Sequence, residues 1–188
     1  KDAHDLYLDA GFVFAPWTIY SHVYMVCPGY RYSLRKNQLY ISVDWLETGN
    51  NGFSLSKYKS ILVSALMRTN QVGSNIYYTL SGGLDSSVLA QLGKEHVGDS
   101  AKTITAQMHG FESELKRATT ISKKLGWKNI VYKYSHLKNN YHKIITNFIE
   151  ETYLPVSDPM IPVVYEMLTD SITDGNIIIV EGQGADSS

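Results

Sequence analysis

The chain has 188 residues, with 17 Lys and Arg against 18 Asp and Glu and a hydrophobic fraction of 44%. Near-neutral charge argues against a general nucleic-acid or membrane-surface binder, and the apolar content is enough for a core, which argues against disorder. A single cysteine, Cys27, excludes an intrachain disulfide framework and a Cys-rich zinc module.

Residues 11–45 mix aromatic and β-branched residues with the turn signals Pro28-Gly29 and Lys36-Asn37, which predicts short antiparallel strands, with a hairpin formed by residues 30–34 and 38–43. The uncharged stretch 11–30 is long enough to span a membrane but carries Pro16 and Pro28, so it too reads as strands and turns. Gly49-Asn50-Asn51-Gly52 reads as a linker and places a domain boundary near residue 50. Ser54 or Ser56 then caps a helix through about Thr69, with Tyr58, Ile61, Leu62, Ala65 and Leu66 on one face.

Beyond the boundary, short apolar runs alternate with helical periodicity. Strands are predicted at 75–80, 103–108, 130–134 and 176–180, and helices at 85–94, 112–125 (ended by Gly126), 140–151 and 163–173 (ended by Gly175). This alternation predicts an α/β fold: a parallel sheet with right-handed crossovers and helices on both faces, preceded by a small N-terminal β segment. All 17 basic residues precede Ile144, whereas eight acidic residues follow Lys143. That acidic stretch is either a solvated surface or half of a site whose cations come from a metal ion or from further chain. The opening at Lys1 and the stop after Asp186-Ser187-Ser188 read as those of an excised piece.

The informative segment is Tyr78-Thr79-Leu80-Ser81-Gly82-Gly83-Leu84-Asp85-Ser86-Ser87. A strand runs into two glycines and a hydroxyl-rich helix start, so free N–H groups and the positive end of the helix dipole converge where a phosphate could sit. No lysine follows the glycines until Lys94, so this is not the loop of kinases and GTPases. Asp85 would repel a bare polyphosphate, which calls for a hard divalent cation such as Mg2+ between carboxylate and phosphate. The plainer reading has Ser81 and Asp85 capping the helix and the glycines only turning; the whole string after an apolar strand favours the anion loop.

Ser81-Gly82-Gly83-Leu84-Asp85-Ser86-Ser87 resembles the pyrophosphate loop (PP-loop) of the N-type ATP pyrophosphatases, and in extended form the synthetase domain of the asparagine synthetase family. Residues 177–186, ending Glu181-Gly182-Gln183-Gly184-Ala185-Asp186, resemble that family's later strand and turn, and Glu114-Leu115-Lys116-Arg117-Ala118 followed by Leu125-Gly126 resembles an intervening helix. Thr18-Ile19, Cys27-Pro28-Gly29 and Asp44-Trp45 resemble the last strands of its glutaminase-like domain. The resemblance implies that residues 1–50 are the tail of that domain and residues 51–188 the first part of an ATP-binding synthetase domain of the adenine nucleotide α-hydrolase-like fold. Cys27 lies far from where such a domain keeps its nucleophile, so no glutaminase activity is expected here.

Members of the family activate a carboxylic acid with ATP as an acyl-adenylate and let ammonia or an amine displace AMP. By resemblance, Asp85, Gln183 and Asp186 hold catalytic positions and Asp85 and Asp186 ligate Mg2+. Leu80, Ser81, Gly82, Gly83, Asp85, Ser86, Ser87, Gln107, Met108 and Gly182 bind the nucleotide. Asparagine synthetases commonly carry carboxylates where this chain has Gln183 and Ser187, and nothing basic follows Lys143 to match the arginine ahead of their turn; Asp158-Pro159 stands there. Aspartate is therefore not the expected acid, and a nucleotide-binding protein without catalysis is the competing reading. Another PP-loop enzyme, such as a tRNA-modifying one, would need a basic face or zinc module. His109 and Glu112 read as surface and dipole-stabilising groups. A homodimer is compatible with the family, and ATP use with one unpaired cysteine and no signal peptide makes the cytoplasm the expected compartment.

Overall fold

The computed structural model describes residues 3–43, 54–71, 75–107, 110–134, 137–153, 155, 157–158, 160–173 and 175–182. The chain divides into two compact units, Lys1–Gly52 with Asn147–Ile161, and Phe53–Thr146 with Pro162–Ser188.

The first unit opens with a helix that the sequence pattern did not suggest, α1 (Ala3–Ala10). The hairpin is present as β1 (Tyr30–Arg35) and β2 (Gln38–Val43), in antiparallel register from Tyr30↔Val43 to Arg35↔Gln38. Lys36 (φ 47°) and Asn37 (φ 60°) both take the left-handed conformation that a tight two-residue hairpin turn requires. The further strands expected across 11–29 are absent: turns, bends and irregular backbone occupy these residues. Pro16 and Pro28 have no N–H for a ladder, and the Thr18 hydroxyl serves the loop backbone instead, accepting from Tyr20 N (3.1 Å) and donating to Val23 O (2.7 Å). The linker at Gly49–Gly52 lies outside the described residues.

In the second unit, β3 (Asn75–Thr79), β4 (Lys102–Gln107), β5 (Lys128–Lys133) and β6 (Ile177–Val180) pair in parallel in the order β5-β4-β3-β6. Its helices are α2 (Leu55–Gln71), α3 (Leu84–His96) and α4 (Glu112–Leu125), with α5 (Leu137–Thr152) running on into the first unit from Asn147 and α6 (Met160–Ser171) entering the second at Pro162. Element ends move by up to three residues from the predicted ones. α4 closes as expected, with Gly126 at φ 70° and the N–H groups of Gly126 and Trp127 returning to Lys123 O and Ser122 O. α6 stops at Ser171, two residues before the expected Thr173.

The pairing register shows which helices cover which face, because partners in a parallel ladder point to the same side. Thr103, paired with Tyr78 and Asn129, meets Ser122 of α4 at 2.8 Å. Tyr132, on the opposite side with Ala106, reaches Asp170 of α6 at 3.1 Å, so α4 and α6 lie on opposite faces. The core on the α4 side gathers Leu66 of α2, Tyr78 and Leu80, Ala90 and Leu92 of α3, Ala118 and Leu125 of α4, and Trp127. Tyr78 packs on Trp127 with ring centroids 4.9 Å apart, and burial pushes its hydroxyl up to about 12. Among the described residues that hydroxyl has no hydrogen-bond partner. The predicted apolar face of α2 is only partly covered: Leu66 is buried, whereas Ile61 (57%) and Tyr58 (43%) are exposed.

Candidate functional site at the sheet switch point

The chain runs outward from β3 through β4 to β5, then returns to place β6 on the other side of β3. In an open α/β sheet the crevice beyond the carboxyl ends of the strands at such a reversal is where ligands bind, because the two flanking loops diverge. Here those loops are Leu80–Gly83 and Glu181-Gly182, bridged at their base by Thr79 Oγ1 to Val180 O (3.5 Å).

Leu80 anchors the first loop. Its side chain is buried, its N–H donates to Ile104 O (2.9 Å), and its carbonyl accepts from Thr105 Oγ1 (2.9 Å). Gly82 turns the chain at φ 80°, and a Cβ there would lie 2.8–2.9 Å from Glu114 O, Ala118 N and Arg117 Cβ. Both its conformation and its approach to α4 therefore require glycine. Arg117 Nε adds a hydrogen bond to Gly82 O (3.3 Å), tying the loop to α4.

Gly83 is the residue preceding the first turn of α3 and provides no side-chain cap, so that helix start keeps donors available for a ligand. Its own N–H is taken by Ser81 Oγ (3.3 Å), which lies 3.1 Å from Ser86 Oγ. Together, Thr79, Ser81, Asp85, Ser86, Glu181 and Gly182 line a cavity of about 260 Å³. Gly182 comes close to the helix start: a Cβ on it would stand 3.1 Å from Asp85 Cβ and 3.3 Å from Ser86 N.

Of the residues expected to bind a nucleotide, Ser81, Asp85, Ser86 and Gly182 therefore meet in one cavity, whereas Leu80, Gly82 and Gly83 of the same loop are not among its lining residues. Ser87 is turned away, its hydroxyl donating to Gly83 O within the helix. Gln107 ends β4, its carbonyl accepting from Tyr134 N (3.1 Å), and does not line this cavity. Met108, His109, Gln183, Asp186 and Ser187 lie outside the described residues. Thr79 and Glu181 were not anticipated; the signal for Glu181 was its position, directly after the apolar run of β6 and before the glycine.

A second acidic cluster, Glu166 and Asp170 of α6, faces Tyr132. Burial, then the neighbouring Asp170 charge, raises the Glu166 carboxyl above its usual range, against smaller lowering effects from Tyr132 and Lys143. Among the described residues no group of three His, Cys, Asp or Glu side chains could hold a metal ion, and no helix is long and apolar enough to cross a membrane.

An open parallel sheet with a lysine-free, serine- and glycine-rich loop at its switch point is the arrangement of the PP-loop class. The chain belongs to the asparagine synthase family, whose model matches residues 58–187. No curated protein matches it. Among solved structures, an NH3-dependent NAD synthetase from Campylobacter jejuni is 14% identical, with a TM-score of 0.45 over 70% of this chain and 57% of that one. NMN synthetase from Francisella tularensis is 16% identical, with a TM-score of 0.43 over 68% and 54%. A glutamine-dependent NAD+ synthetase from Acinetobacter baumannii, in complex with ADP, is 14% identical, with a TM-score of 0.48 over 76% and 30%. The chain thus spans between about a third and just over half of these relatives.

Proposed function

We propose that this chain carries the adenylating part of an ATP-dependent carbon–nitrogen ligase of asparagine-synthetase type. In that reaction a carboxylate oxygen of the acid attacks the α-phosphorus of ATP, and pyrophosphate leaves with the electron pair of the broken P–O bond. Ammonia or an amine then attacks the acyl carbon of the acyl-adenylate, the bond to AMP breaks, AMP departs with its electron pair, and the nitrogen loses a proton.

The observation that carries this reading is the uncapped start of α3 behind Gly82-Gly83, opening into a cavity walled on the other side by Glu181-Gly182. Donors fixed at a helix N-terminus stabilise charge developing on a departing pyrophosphate without having to reorganise. Ser81 and Ser86 supply hydroxyls to the same anion. The donor set suits Mg2+, which binds through one or two carboxylates together with phosphate oxygens; Asp85 and Asp186 would hold it. The ion would offset the negative charge of the leaving group. Gln183 would line the acyl side without acting as a base, since an amide is neither basic nor charged at neutral pH. Gln107 and Met108, beyond β4, would contact the adenosine. The proposal extends to residues 1–50 as the end of a glutaminase-like domain, residues 51–188 as the first part of the synthetase domain, and a homodimer.

Calorimetric titration with a non-hydrolysable ATP analogue and Mg2+, beside Asp85→Ala, tests the site. Saturable Mg2+-dependent binding that the variant loses is expected, followed by pyrophosphate release when carboxylic acids are screened. A folded chain that binds no analogue would overturn the reading. The amide and hydroxyl of Gln183 and Ser187, where carboxylates are common, favour one alternative, a nucleotide-binding protein without catalysis. It predicts analogue binding with no pyrophosphate release for any acid.

A further inference from the structure

Next to the phosphate cavity lies a larger groove, about 630 Å³, that the reading above leaves unused. Its walls are apolar: Leu62 and Leu66 from α2, Leu84 and Val88 from α3, and Ile179 from β6. Leu84 is 79% and Val88 43% exposed, so these walls are open to a ligand. The volume is that of a small-molecule pocket. The groove meets the phosphate cavity at Asp85, Glu181 and Gly182, which line both.

Three observations narrow the occupant. The groove lies on the β6 side of β3, whereas Gln107, expected to contact adenosine, ends β4 on the other side. Two carboxylates stand at the junction, and no Lys or Arg is among the described residues that line the groove, so a carboxylate ligand would meet repulsion and an ammonium attraction. If Asp85 is committed to Mg2+, Glu181 keeps its charge for the organic ligand.

We propose that this groove is the nitrogen-donor site, taking a primary amine with an apolar body and holding its ammonium group at Glu181, to whose carboxylate it yields a proton before the free amine attacks the activated acyl carbon. This deepens the ligase reading and rests on it. Glu181 supplies at the mouth of the groove the negative charge that Gln183 lacks, and the apolar walls select an organic amine over ammonia.

The test is titration of the full chain, saturated with the ATP analogue and Mg2+, with hexylamine, hexanol and hexanoate. Hexylamine is expected to bind saturably and most tightly, hexanoate most weakly. Glu181→Gln should weaken hexylamine roughly three- to fivefold, the scale of one exposed charge pair, and leave hexanol unchanged. Filling the groove with Ala65→Trp, or making the exposed position polar with Leu84→Gln, should weaken both amine and alcohol; the second variant covers the case in which the first does not fold. Equal affinity for the three ligands, or an amine preference that survives Glu181→Gln, overturns the proposal. So does self-association of the chain that hexylamine fails to reverse, which would assign the groove to a second copy. Analogue binding that Asp85→Ala abolishes, with no hexylamine binding, removes the donor site and leaves the nucleotide reading intact; loss of both removes the ligase reading itself.

Discussion

Replacing Gly82 with alanine tests the phosphate loop through stability as well as binding. An L-residue at φ near 80° costs about 1–2 kcal/mol, and its methyl group would press on Glu114 O, Ala118 N and Arg117 Cβ at 2.8–2.9 Å. Two of these are backbone atoms of α4, which cannot step aside as a side-chain tip can, so overpacking adds about 1–3 kcal/mol. The stiffer unfolded chain returns about 0.4–1 kcal/mol, leaving a net loss of about 1–5 kcal/mol. Gly83→Ala is the control, since φ there is −78° and a Cβ would meet only Ser81 Oγ, at 3.3 Å. Its loss should stay below about 1 kcal/mol, the usual range for exchanging residues at a helix start. Urea unfolding followed by circular dichroism reads both, and titration with the ATP analogue should show Gly82→Ala the weaker binder. Equal stability of the two variants would refute the argument that α4 holds the loop in its conformation.

Gly182→Ala puts a methyl group 3.1 Å from Asp85 Cβ at an incompletely buried site; stability should change by less than about 1 kcal/mol, while analogue affinity measured by calorimetry drops about tenfold. Tyr78→Phe deletes a buried hydroxyl that has no partner among the described residues, so the melting temperature should hold or rise, by up to about 1 kcal/mol of added stability. Glu166 has a raised carboxyl in the folded chain, so its ionisation opposes folding: stability from this group is present below the unfolded carboxylate range and is lost as pH rises through the folded value. Glu166→Gln should accordingly stabilise the chain in urea unfolding at pH 7 and have little effect near pH 4; a gain at both pH values would point to packing instead.

The parallel sheet and the glycine turn after β3 were legible in the sequence because they rest on local signals: apolar runs of strand length, glycines at the turn, and helical spacing between them. What escaped notice depended on context. Aromatic and β-branched residues in 11–29 carry strand propensity, yet propensity alone does not supply a partner strand, and Pro16 and Pro28 interrupt any ladder. α1 is a single short helix with no buried residue, so no strong apolar stripe announces it. Ile61 fits the apolar face of α2 by spacing but stays exposed, because periodicity tells which residues share a face and not how far a neighbour covers it. Glu181 follows the apolar run of β6 directly, but only the strand order, which puts the end of β6 beside that of β3, brings it to the cavity that Asp85 lines.

That strand order also bears on how the chain reaches its native state. Thr79 and Val180, which meet at the base of the cavity, are 101 positions apart, whereas β3, β4 and β5 follow one another with single crossovers. Closing so long a loop carries an entropic cost that must be met before the contact returns anything, so the last wall of the cavity is expected to form late in folding. β6, with only four residues, is an edge strand of the described sheet. A ligand clasped between its turn and the loop after β3 would favour the docked strand in proportion to ligand concentration over dissociation constant, making amide exchange in β6 a direct gauge of site occupancy.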